Sequence, residues 1–510
     1  MVLESDSIDM VVDNLERKIS IAAFVLTFSF SFLWSFTQPL YGSPDETAHV
    51  VKAVATATGQ LKGQEATGDF GFAGEIYKVP VAYSQGIEYL GCILGPSHAD
   101  ASCVGRFATG REETKVVSTA AHYPPTYYLL VGPIGLTFPG PIGMYLMRTV
   151  SSFLTALVLT AALRTAFRFG GPLRAVGVIV GCTPMVFSLS GAVNPHGLEV
   201  SSSILYWVTL LTCLEWNQIG KEKRVNRSLF IQLLLASSLF AFLRPAAFVW
   251  MALSTTLIVG YVGVRKTVSS IADSFSARKM LWPVPMALMV SVFFYFWSDV
   301  GSSLGGGGEK GSEKVLENLR IAFDRGDDYF RYMFGWFGWV EFSAPPAAFL
   351  ICVGCLGLAL MYGLLNGSVR EFGFIVATLV CTVAMPIVLE GLKAASSGFG
   401  YQGRYTLALA VGVPILAFWR QGFNLPVVER RMVTVVLVAA LLPSFICIDF
   451  ALKRYSVGET GPKLWFLQAK WLPPGGLFLI LATLVVILAS LFALNTALRR
   501  ALSSTEPEVR

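Results

Sequence analysis

Charge is what this chain has least of. Asp, Glu, Lys and Arg make up 14% of its 510 residues, against about 25% in soluble globular proteins. Hydrophobic residues make up 54%, including 37 phenylalanines. So little charge cannot keep three or four soluble domains in solution, and a polytopic membrane protein is implied. Long apolar runs such as 281–298 and 474–495 lack the strict alternation of barrel strands, so the spanning elements are helices. A formal charge of +6 without any Lys/Arg block excludes a nucleic-acid partner. Gly305 to Gly308 have no Lys-Ser/Thr after them and no strand before them, which excludes a P-loop. Cys352 and Cys355 form a lone CxxC in an apolar run and imply no zinc site.

At roughly 20 apolar residues per crossing, about twelve spans are predicted. They lie near 20–38, 143–164, 174–192, 197–217, 228–245, 246–264, 281–298, 347–365, 371–390, 404–420, 432–450 and 474–496. The first is read as a retained anchor rather than a signal peptide. The segment before it is acidic (Glu4, Asp6, Asp9, Asp13) and no small-residue cleavage site follows. Lys and Arg cluster on every second connection, at Arg17–Lys18, Arg164–Arg174, Lys221–Arg227, Arg265–Lys279, Arg370, Arg420–Arg431 and Arg499–Arg500. This places both termini in the cytoplasm. Lys453, Arg454, Lys463 and Lys470 dissent, since they fall in a connection that the scheme puts outside. The two longest connections, Gln38 to about Ile142 and Asp299 to about Pro346, are then extracytoplasmic. Loops of that length in a lean membrane protein carry function.

The first outer loop opens with Ser43-Pro44-Asp45-Glu46-Thr47-Ala48-His49. A capping box accounts for Ser43 as N-cap and Glu46 at N3, with Pro44 at N1. Asp45 is left over, four residues before His49 on one helix face. A carboxylate beside a histidine at the membrane rim suits a general base for a lipid-borne substrate. Residues 126–138, after His122-Tyr123-Pro124-Pro125, are predicted as an interfacial helix, with Tyr127 and Tyr128 as headgroup anchors. Arg148 lies in the outer part of a span, where a charge is costly and tends to be functional. Arg244-Pro245 and Asn194-Pro195-His196-Gly197 read first as turns. Arg404, between Gly403 and Tyr405 and after a loop with Lys393 and Gln402, can either grip a phosphate or snorkel to headgroups. Gly335-Trp336-Phe337-Gly338-Trp339 is expected to rest on the bilayer. Cys92 and Cys103 share the first outer loop, where disulfides persist.

Taken in order, SPDETAH, HYPPTYY, NPHGLE, GWFGW and QGRY resemble domain-of-unknown-function family 2142, bacterial multi-spanning proteins resembling the GT-C glycosyltransferases. The resemblance runs from Pro39 to about Arg420. It implies an all-α polytopic membrane protein of about twelve transmembrane helices, GT-C-like, with two long extracytoplasmic loops. The expected organisation is a cytoplasmic tail (1–19), a catalytic module (20–420) with outer loops 39–142 and 299–346, C-terminal spans (421–496) and a second tail (497–510). The first part also looks like the protein mannosyltransferase and aminoarabinose transferase type, with an outer-loop acid, a His/Lys-Pro-Pro segment and an Arg on the second span. Those roles fall on Asp45 with Glu46, on His122 to Pro125, and on Arg148, although Tyr123 is inserted before the prolines. The large soluble C-terminal domain of many GT-C enzymes is missing.

The implied reaction is inverting transfer of a sugar from a polyprenyl-phosphate donor to an extracytoplasmic glycan, glycolipid or protein acceptor at a bacterial inner membrane. Asp45 or Glu46 is the expected base. His49, His122, Arg148, Arg244, Lys393, Arg404 and Tyr405 are the expected substrate contacts. A divalent metal such as Mg2+ or Mn2+ is compatible, with Asp45 or Glu46 as an oxygen ligand. The rival reading is a transporter or flippase, against which the halves show no repeat and polar groups gather at the outer rim.

Overall fold

Apolar runs of some twenty residues fold as helices because a helix pairs every backbone N–H and C=O within its own segment. The computed structural model describes residues 2–68, 73–94, 100–105, 107–216, 227–276, 312–420 and 426–503. The chain opens with α1 (Val2–Thr37) and α2 (Glu46–Ala57), then β1 (Gln64–Thr67), β2 (Ala73–Pro80), α3 (Gly86–Ile93), β3 (Glu113–Ser118) and α4 (Thr126–Thr137). Next come α5 (Pro141–Gly181), α6 (Pro184–Ser190), α7 (Pro195–Trp216), α8 (Arg227–Ala241), α9 (Ala247–Val262) and α10 (Val264–Ser276). The remainder comprises α11 (Ser312–Asp324), α12 (Gly326–Phe334), β4 (Trp336–Phe337), β5 (Phe342–Ser343), α13 (Pro346–Asn366) and α14 (Val369–Ser397). Then follow α15 (Leu407–Ala410), α16 (Gly412–Ala417), α17 (Pro426–Val457) and α18 (Gly476–Ser503).

Among the described residues, seven helices are long and apolar enough to cross a membrane: the apolar parts of α1, α5, α7, α13, α14, α17 and α18. The pair α9 and α10, bent by 101°, would make an eighth. The protein is therefore a mostly helical, multi-pass membrane protein. Several of the twelve predicted spans differ. Span 174–192 is interrupted before Pro184, and its first part continues from the preceding span through a kink at Gly171 (φ 77°). Span 404–420 is a 3-10 turn, Gly403–Thr406, followed by the short α15 and α16. Span 228–245 shortens to the 15-residue α8, and span 281–298 lies outside the described residues. Prolines that lack an N–H and glycines that favour no helix make these breaks.

The first long connection folds into a small α/β unit against the end of α1 and the start of α5. Its sheet runs β1-β2-β3, all antiparallel, with Tyr77 opposite Val116. Helices α2 and α4 pack together beside it around Val50, Val54, Tyr77, Tyr83, Tyr127 and Tyr128. Tyr127 and Tyr128 are thus not headgroup anchors. Both are fully buried, because their hydroxyls find partners inside, on Ser151 and on His49. The expected Cys92–Cys103 disulfide is present, with Cα atoms 5.8 Å apart.

The GWFGW segment does not rest on the bilayer either. It forms the β4–β5 hairpin, with Phe337 stacked on Trp34, Trp336 on Tyr332, and Trp339 Nε1 donating to the Tyr41 carbonyl at 3.1 Å. The dissenting basic residues also find an explanation. Arg454 lies in α17, buried against Glu341 at 3.0 Å, and Lys470 pairs with Asp100 at 3.2 Å. Cations held by acids of the long loops add little net charge to their connection.

Candidate functional site

The turn between α1 and α2 is clamped by a buried ion pair. Arg148, near the start of α5, donates from Nε and Nη2 to the two Glu46 oxygens at 2.7 and 2.5 Å. Its remaining N–H groups reach the carbonyls of Ser35, Gln38 and Pro39 at 2.7 to 2.9 Å. Each Glu46 oxygen accepts a further backbone N–H, from Val193 and Tyr41, both at 3.0 Å. Both side chains are 0% exposed. This overturns the capping box. Glu46 begins α2 instead of occupying its third position, and the Ser43 hydroxyl turns to Gln38. Saturated on both oxygens, Glu46 cannot collect a proton from substrate. Arg148 has no donor left for a phosphate.

Asp45 takes the N-cap position at φ 60°, a left-handed conformation that asparagine and aspartate tolerate better than most residues, and makes no side-chain cap. Its carboxylate is 42% exposed and meets Arg404 Nη2 at 2.9 Å. Arg404 is 1% exposed, and its Nε and Nη1 have no hydrogen-bond partner. Two neighbours hold this pair in place. Asn194 Nδ2 donates to the Pro44 carbonyl at 3.0 Å while its Oδ1 accepts the His196 N–H at 2.9 Å. Gly403 lies so close to α12 that a Cβ would sit 1.7 Å from the Tyr329 carbonyl oxygen. Glycine alone permits that approach.

Behind Arg404 lies a second pair. Arg244 Nη1 donates to Glu199 Oε2 at 2.8 Å, and His196 Nε2 is 3.7 Å from the same oxygen. The Tyr405 ring has the Arg244 and Arg404 guanidinium carbons 5.0 and 5.3 Å from its centre. His49 sends Nδ1 to Tyr128 Oη at 2.8 Å rather than to Asp45, and Tyr123 meets its ring edge-on at 5.0 Å. Burial pulls the His49 pKa down to about 3; the Asp45 charge opposes this, and Arg244 and Arg404 add to it. The imidazole is therefore neutral at physiological pH. His122 is exposed, and the inserted Tyr123 is the residue that reaches the cluster. Lys393 is half-buried on α14, one turn beyond Glu390.

An apolar groove lies among α5, α12, α13, α14 and α15, and Leu407, just after Arg404 in the chain, is one of its lining residues. Phe330, Met333 and Phe334 from α12 and Leu407, Ala410 and Leu356 contribute to its walls. No group of three acidic, His or Cys side chains able to hold a metal converges among the described residues. With Asp45 paired to Arg404 and Glu46 saturated, these donors do not fit a divalent cation.

Residues 28–413 match the family described as Predicted membrane protein (DUF2142). The chain belongs to this family. No curated protein matches this DUF2142 member. Among solved structures, it is similar to the Archaeoglobus fulgidus oligosaccharyltransferase tethered to an acceptor peptide containing the NVT sequon. The identity is 13% and the TM-score 0.34, over 88% of this chain and 56% of that one. The DUF2142 chain thus spans little more than half the length of that enzyme.

Glu199 and Tyr123 lie inside NPHGLE and HYPPTYY but carry no expected role there, and Tyr401, whose ring lies 5.3 Å from that of Tyr405, falls just before QGRY. An acid at the third position of a predicted span was itself a signal, because a lone carboxylate in hydrocarbon needs a partner.

Proposed function

We propose that the protein is an inverting membrane glycosyltransferase that moves a sugar from a polyprenyl phosphate to an acceptor hydroxyl. The acceptor belongs to a glycan, glycolipid or protein outside the cytoplasm. One observation carries this reading. A half-exposed carboxylate, Asp45, is bonded to a buried arginine that keeps two unpaired N–H groups, and Leu407, in the turn of helix after that arginine, lines an apolar groove. A lipid phosphate needs those two features together: a cation for the headgroup and a greasy channel for the chain.

In the proposed step Asp45 accepts the proton of the acceptor hydroxyl while its oxygen bonds to the anomeric carbon. The bond from that carbon to the phosphate oxygen breaks, and the lipid phosphate leaves with the electron pair. Arg404 Nε and Nη1 stabilise the charge that grows on it. Because Arg404 also holds Asp45, a single guanidinium sets the spacing between base and leaving group. Glu46 and Arg148 belong to the scaffold of the turn. The protein sits in a bacterial inner membrane with both termini in the cytoplasm and Asp45 at the outer face, as the basic connections favour.

The test is sugar transfer by purified protein from defined polyprenyl-phosphate donors. Asp45→Asn should abolish transfer yet remain folded and monodisperse, since the asparagine oxygen can still accept from Arg404 Nη2. Near-normal transfer by that variant removes Asp45 as the base.

A further inference from the structure

Glu199 sits one turn into α7, a membrane-crossing helix, where an acid is expensive unless something requires it. Its Oε2 is bonded to Arg244, but its fully buried Oε1 has no partner. Arg244 Nε and His196 Nε2 are likewise buried and unpartnered. Tyr401 Oη is a fourth such atom, on a ring 5.3 Å from Tyr405. Arg244, His196 and Tyr401 each pack on Tyr405, as does Arg404, while Glu199 joins them through Arg244, and the His196 ring reaches the Arg404 main chain. An unsatisfied buried polar group costs about 1–3 kcal/mol. These four all belong to titratable side chains of one cluster, where a single polar ligand would satisfy them together.

We infer that Glu199, His196 and Arg244, with Tyr401, form a hydroxyl-reading subsite for the sugar ring of the donor, next to the phosphate held by Arg404. This rests on the glycosyltransferase reading. A carboxylate oxygen and a guanidinium N–H side by side match two neighbouring hydroxyls: one donates to Glu199 Oε1, and the next accepts from Arg244 Nε. His196 Nε2 and Tyr401 Oη can each bond a further ring hydroxyl. The carboxylate selects against a second carboxylate, so the sugar is a neutral hexose or pentose and not a uronic acid.

The experiment measures binding to full-length protein in detergent. The probes are undecaprenyl phosphate and undecaprenyl phosphate carrying glucose, mannose, arabinose or glucuronic acid. Wild type should bind at least one neutral glycosylated lipid more tightly than the bare phosphate and than the glucuronate. Glu199→Gln and His196→Gln should each weaken that lipid by about ten- to a hundredfold and leave bare undecaprenyl phosphate within about twofold. A scaffold role predicts equal loss for both lipids, and that result, like unchanged discrimination, overturns the subsite while sparing the donor reading. Wild type that binds neither lipid overturns both. If Glu199→Gln fails to fold, His196→Gln decides, because its imidazole carries no buried ion pair.

Discussion

Asp45 and Glu46 are adjacent acids with opposite expected phenotypes, and Glu46→Gln is the sharper perturbation. Glu46 accepts four N–H groups, two on each oxygen, one of each pair from Arg148 and one from the backbone. Glutamine offers one oxygen and one NH2 in the same volume. Whichever way the amide turns, one Arg148 N–H and one backbone N–H then face another donor. Two charge-assisted bonds are lost, worth roughly 1.5–3 kcal/mol each, and the Arg148 guanidinium stays buried beside a neutral group. Together these losses approach the roughly 3–5 kcal/mol of breaking a buried ion pair. Fluorescence-detected size exclusion after a temperature ramp in detergent reads the effect. Glu46→Gln should melt well below wild type and lose monodisperse protein, while Asp45→Asn, which keeps an oxygen for its single bond to Arg404, should be destabilised less. A Glu46→Gln protein that melts like wild type would refute the clamp, and would restore Glu46 as a cap whose glutamine is tolerated.

Arg404→Gln should bind a polyprenyl-phosphate analogue about ten- to a hundredfold more weakly, with Arg404→Lys only partly recovered because the planar fork is gone. Unchanged affinity in the Gln variant would make Arg404 a purely structural partner of Asp45. The Cys92–Cys103 bond should contribute about 2–4 kcal/mol; unreduced peptide mass spectrometry finding two free thiols would remove it. His49, with a folded pKa of about 3, binds its proton less readily than in the unfolded chain, near 6.5. The unfolded state therefore takes up more protons between those values, and stability falls as pH drops from about 6.5 towards 3. His49→Gln should flatten that part of the melting-temperature profile, and an unaltered profile would show that another group governs it.

The long crossings are readable from sequence because lipid tolerates only an uninterrupted apolar run, as in α13 or α18. The broken ones are not, since the run from Gly403 to Arg420 has the same composition whether it is one helix or three pieces, and the approach of Gly403 to Tyr329 that fixes its start is invisible in the sequence. Asp45 stands out by elimination, but the reasoning that isolates it assigns Glu46 to a cap. The choice between a cap and a buried clamp depends on Arg148, which lies 102 residues away. Arg404 is visible as a cation at a span boundary, whereas its partner is not, because nothing local joins the two. Tyr127 and Tyr128 fit an aromatic belt by composition, and it is the packing of α2 over α4 that draws them inward. Glu199 ends the NPHGLE motif, but its role is not readable there because its partner, Arg244, lies 45 residues on.

The Asp45–Arg404 pair joins residues 359 apart in the chain, and the Trp339 bond to the Tyr41 carbonyl spans 298. A ribosome adding roughly 5–20 residues per second therefore needs about 20–70 s after Asp45 emerges before Arg404 exists. Tyr41 and Asp45, both at positive φ, wait for these partners in turn, Tyr41 until Trp339 is made and Asp45 until Arg404 follows. The nascent protein thus inserts its early helices with its candidate base unpaired, and acquires a working centre only when the second half arrives. If the proposed mechanism holds, a copy that ends before residue 404 carries out no transfer, and only finished molecules expose the membrane to that chemistry.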